Sequence, residues 1–92
     1  MVFIVERYIA GVPGSDIERL LEPLGRVAVE MRSEGVPVHY AGSLVITEDD
    51  AVLCRFEGPS ERAVAELNRR AGVAYDRIVP AVVVTPAVHE GV

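Results

Sequence analysis

Val36-Pro37-Val38-His39-Tyr40-Ala41-Gly42-Ser43-Leu44-Val45-Ile46-Thr47, Glu48-Asp49-Asp50, Ala51-Val52-Leu53-Cys54-Arg55-Phe56 and Glu57-Gly58-Pro59-Ser60 follow one another in the middle of the chain. Two runs rich in β-branched and aromatic residues flank a short acidic turn. That pattern predicts an antiparallel hairpin, with strands over 36–47 and 51–56. Gly58 and Pro59 stop the second run. Ser60 is placed to cap a helix, with Glu61 in its first turn. Val64, Leu67 and Ala71 give that helix one buried stripe, and Gly72 closes it.

Outward from the hairpin, the same reasoning organises both ends. Val2 to Ile9 reads as a strand, broken by Gly11-Val12-Pro13-Gly14. Ser15-Asp16-Ile17-Glu18 fits a capping box, a hydroxyl followed three residues later by a carboxylate. Ile17, Leu20, Leu21, Leu24, Val27, Ala28 and Met31 form a helical stripe ending at Gly35. Pro23 lies inside it and predicts a kink, or a short helix running into a longer one. Arg77 to Val84 is the fourth strand. One domain therefore covers residues 1–84, and 85–92 form a C-terminal tail. The order is β-α-β-β-α-β. With right-handed crossovers it gives an α+β, ferredoxin-like sandwich, a four-stranded antiparallel sheet with both helices on one face.

The uncovered face of such a sheet normally alternates polar with apolar residues. Here Val36, Val38, Tyr40, Leu44 and Ile46 alternate with Ala41 and Val45, and Val82 and Val84 with Ala81 and Val83. Both faces are apolar, which predicts a homodimer packed sheet against sheet.

At 92 residues the chain is too short for a doubly wound fold, a TIM barrel or a kinase. Nine arginines and no lysine stand against 14 acidic residues, a net charge of −5. Without a basic stripe, nucleic acid is not an expected partner. The single cysteine allows no internal disulfide. Glu6-Arg7 interrupts the opening apolar run too early for a signal peptide, and no run has the length of a membrane span. The expectation is a cytoplasmic protein with no membrane partner.

Few residues carry chemistry. His39, in the second strand, is a metal ligand or general base, or else a half-exposed strand histidine. Cys54 is a small buried hydrophobe, or a nucleophile if a base lies beside it. If Thr47 opposes Ala51, His39 and Cys54 fall on opposite sheet faces; a one-residue change in turn length puts them together. Glu6, Arg7 and Arg55 are charges inside apolar strands and need partners or a task. Glu48-Asp49-Asp50 lacks the spaced oxygens of a calcium loop and reads as a solvated turn. No P-loop, GxGxxG, CxxC, HExxH or GxSxG occurs.

Five stretches carry a family resemblance: residues 3–9, 42–50, 53–60, 68–72 and 76–79. In this order they resemble a family of small bacterial proteins, common in actinobacteria, catalogued mainly as a domain of unknown function and described as nickel-binding. The resemblance implies a ferredoxin-like fold that dimerises through its sheet. It also implies nickel, or another divalent transition metal, as the only cofactor. This chain has Asn68 where many nickel-type members carry a histidine. The matching positions that remain are Glu6, His39 and Cys54.

Three functions are therefore in play. One is a metal-binding dimer, with His39 and Glu6 as ligands. Another is an enzyme without an organic cofactor, or a binding protein, holding a small apolar ligand between sheet and helices with His39, Tyr40, Glu6 or Arg55 at work. The third is a structural or regulatory dimer.

Overall fold

The computed structural model describes residues 1–87; residues 88–92 of the expected tail lie outside the described residues. Strand β1 spans Val2–Tyr8, helix α1 Gly14–Ser33, β2 His39–Ile46, β3 Ala51–Glu57, α2 Glu61–Ala71 and β4 Arg77–Ala81. The sheet order is β2-β3-β1-β4, with every neighbouring pair antiparallel. This is the ferredoxin-like sandwich, with the core between the sheet and the two helices.

Period-two alternation along β1 and β3 sends Phe3, Val5, Val52, Cys54 and Phe56 into the core. From α1 they meet Ile17, Leu21, Leu24, Val27, Ala28 and Met31, and from α2 Val64 and Leu67. Each large side chain so buried stabilises the fold by about 1.5–3 kcal/mol before entropy is counted. Leu20, within the expected stripe, stays exposed.

Local details depart from expectation in several places: the second strand begins at His39 rather than Val36, and further differences lie in α1 and β4. Helix α1 begins at Gly14, and Pro13 rather than Ser15 stands at its N-cap. The Pro13 carbonyl accepts from the Asp16 and Ile17 amides, so the backbone performs the task assigned to the serine hydroxyl. The helix also runs through Pro23 as a single element. One missing amide donor does not divide it, because Leu21 and Leu24 on either side are anchored in the core. Strand β4 stops at Ala81 rather than Val84; its ladder with β1 ends where β1 begins, at Val2 opposite Ala81. The Ser60 cap forms as expected, its hydroxyl accepting from the Ala63 amide at 3.1 Å.

The hairpin sets the positions of the candidate residues. Thr47–Asp49 make one 3-10 turn and Asp50 is left-handed, so Ile46 rather than Thr47 faces Ala51. Between Tyr40 and Ser43 the register shifts again, through a bulge at Ala41 and Gly42. Gly42 has φ +103°, a conformation that side chains rarely adopt. At the other end of β3, Gly58 is buried. A Cβ there would meet Val38 Cγ2 at 3.2 Å, so glycine lets the chain pass close over Val38.

Candidate functional site

The two sheet faces separate the candidate residues. Tyr40, Ser43 and Val45 share the helix side with Phe56, Cys54 and Val52 across the strand pair. His39, Leu44 and Ile46 lie on the open side, opposite Glu57, Leu53 and Ala51. His39 is exposed at the corner of the sheet, the first residue of an edge strand.

The nearest carboxylate in the ladder to His39 is therefore Glu57, not Glu6. Glu6 lies two strands away, and about 13 Å further along the sheet at the usual strand rise. Its carboxylate accepts from the Arg77 guanidinium on the neighbouring strand. That is the cross-strand ion pair expected of a charge inside an apolar strand. Arg55 is exposed on the open face. One chain thus does not assemble His39, Glu6 and Cys54. Among the described residues, no three His, Cys, Asp or Glu side chains lie close enough to hold a metal ion. A divalent transition metal needs more donors than the described residues of one chain bring to any single point.

The helix side holds a connected polar group instead. The Tyr40 and Ser43 hydroxyls hydrogen-bond each other, and Ser43 Oγ donates to Cys54 Sγ at 2.9 Å. The Tyr40 ring packs on Phe56, with centroids 5.2 Å apart. Burial raises the Tyr40 phenol above its ordinary pKa and the Cys54 thiol adds to this, while the Ser43 hydrogen bond and the Arg7 charge act in the opposite sense. The phenol therefore stays protonated at neutral pH and can donate. A cavity of about 340 Å³ opens beside this group, between α1 and β2. Ile17, Leu21 and Val45 line it with the Tyr40 and Ser43 side chains, and Glu18 and Glu22 are also on its wall. Ser43 was not among the residues singled out from the sequence. The signal for it was Gly42: a glycine inside a strand marks a bulge, and a bulge brings residues 40 and 43 to one face.

Cys54 is fully buried, and its polar neighbours among the described residues are the Ser43 and Tyr40 hydroxyls, neither of them a base at neutral pH. Cys54→Ala is expected to cost about 1–2 kcal/mol, from lost packing and the lost Ser43 acceptor. Urea unfolding measures that cost. Rapid reaction of the native thiol with a labelling reagent would contradict this placement.

Arg7 is the other strand charge, and among the described residues no carboxylate meets it. It is only 1% exposed. Its Nη2 donates to Asn68 Oδ1 at 2.7 Å, and its Nη1 to the Val73 and Ala74 carbonyls at 3.3 and 3.0 Å. Asn68, also buried, donates from Nδ2 to the Val64 carbonyl at 2.8 Å. Asn68 is thus committed to holding the fold and points at no metal site.

Residues 3–81 match the model of a protein family described as nickel responsive protein SCO4226-like. No curated protein matches the chain. Among solved structures, the chain is similar to the crystal structure of SCO4226 from Streptomyces coelicolor A3(2). The TM-score is 0.73 at 22% sequence identity, over 92% of this chain and 100% of that one. At that identity the likeness establishes the ferredoxin-like fold.

Proposed function

The chain belongs to the nickel responsive SCO4226-like family, and from that premise we propose that it acts as a homodimer, joined across the open sheet face, that takes up a divalent transition-metal ion of the nickel type at His39. The observation that carries this reading is the place of His39. It is the one histidine among the described residues, exposed on the face a second copy would cover, with a carboxylate from Glu57 opposite it in the ladder. Imidazole and carboxylate suit such an ion. The ligands that one chain lacks come from the second copy and from water. An isologous interface supplies each residue twice. Ile4, Leu44, Ile46, Leu53 and Val79 give that face an apolar patch, which it shares with Arg55 and the Glu6–Arg77 ion pair.

Titration of the protein with nickel in a calorimeter tests the metal reading. Saturable heat is expected from the wild type and its loss from His39→Ala. Equal binding by the two proteins, or none by either, would reject it.

A second reading rests on a different observation, the cavity beside Tyr40 and Ser43. Its volume, apolar walls and two convergent hydroxyls suit a small, mostly apolar ligand. Native mass spectrometry separates the readings in one measurement, because it reports stoichiometry, retained metal and any organic molecule carried through purification.

A further inference from the structure

The buried Arg7 guanidinium is incompletely compensated. Its hydrogen-bond partners are one amide oxygen and two carbonyls, all neutral, and its Nε has no partner. The carbonyl end of α2 offsets part of the charge, equivalent to about half a unit. The remainder is felt beyond Asn68, on the outer side of α2. There a cleft of about 650 Å³ runs between the helix and the loop that leads to β4.

Asn68 is both an Arg7 partner and part of the cleft wall. Arg62 and Arg69 also line the cleft, and among the described residues Glu66 is the single acidic one there. Glu66 is already engaged: Arg69 holds both its oxygens at 2.7 Å, and Arg70 adds a contact at 3.1 Å. In a chain of net charge −5, this is a local excess of positive charge. Ala74 and Tyr75 supply an apolar wall, and the volume suits a small molecule.

We propose that this cleft binds a small organic carboxylate, its charge toward Arg62 and the Nη1 side of Arg69, whose Nε and Nη2 hold Glu66, and its apolar body against Ala74 and Tyr75. Guanidinium groups favour carboxylates through charge-assisted hydrogen bonds. The Arg7 charge behind the wall adds attraction without contact, because the protein between them screens it less than water does. The site lies on the helix side of the molecule and does not depend on what covers the sheet.

The test uses 4-phenylbutyrate and its uncharged analogue 4-phenylbutanamide, titrated into the labelled protein and followed by amide NMR shifts. Shifts confined to residues 62–75 are expected, with the carboxylate bound about tenfold tighter than the amide. Arg62→Gln/Arg69→Gln changes two exposed side chains and leaves the core intact. It is expected to weaken the carboxylate about tenfold and to leave the amide unchanged. Equal affinity for the two probes would overturn the proposal. So would unchanged carboxylate binding by the double variant, shifts centred on Tyr40, or no shifts at about 20 mM ligand, a concentration that reveals even weak binding.

Discussion

Asn68→Leu is expected to remove about 3 kcal/mol of folding stability, a large part of the roughly 5–15 kcal/mol that a domain possesses. Leucine has the branching of asparagine and is the bulkier of the two, so the loss is not a cavity effect. It arises because Arg7 Nη2 loses its only acceptor inside the core, while Nε already has none. A buried cation with two of its nitrogens unsatisfied is far more costly than a buried neutral group. Residues 7 and 68 share this penalty, so their effects are not additive. Arg7→Leu/Asn68→Leu removes charge and acceptor together, and is expected to be more stable than Asn68→Leu alone. Urea unfolding of the wild type and three variants closes the cycle. A loss below about 1 kcal/mol in Asn68→Leu would show that water reaches Arg7 and that its burial costs little.

Leu44→Glu is expected to abolish the proposed dimer while leaving each chain folded. Leu44 is 70% exposed in the single chain, on an edge strand, so glutamate there meets water rather than core. Within a sheet-to-sheet interface the same substitution buries two carboxylates against apolar partners, one from each copy. The dimer dissociation constant is expected to rise at least about 100-fold, or ~2.7 kcal/mol. Sedimentation over a concentration series reads the change, and circular dichroism verifies the fold. A wild type that stays monomeric at all concentrations, or a Leu44→Glu protein that dimerises as before, would exclude this face as the interface.

These predictions draw on different depths of the chain's information. Local pattern located the elements. The α1 stripe, the Ser60 cap, the Gly58-Pro59 break and the acidic turn each act over a few residues, and the β-α-β-β-α-β order follows from them. That Cys54 is buried and Glu6 is paired across strands was also legible, since an apolar strand leaves a small thiol few other places and a charge few other options. Some local details were not legible. Ser15 has the residue type of a cap, but backbone carbonyls at Pro13 served instead.

The candidate sites depended on tertiary structure, and His39 shows why. A strand has a side-chain period of two, so each one-residue slip moves a residue to the other face of the sheet. The hairpin turn pairs Ile46 with Ala51, a slip that by itself would bring His39 to the side of Cys54. The bulge at Ala41 and Gly42 adds a second slip and returns His39 to the open face, while leaving Tyr40 and Ser43 together over Cys54. Arg7 and Asn68, 61 positions apart, likewise meet only when α2 lies across β1. By itself the sequence determined which segments are strands and helices, because those preferences are summed over near neighbours. Which side chains meet was decided by register and by packing between distant segments, where a single residue of offset reverses the answer.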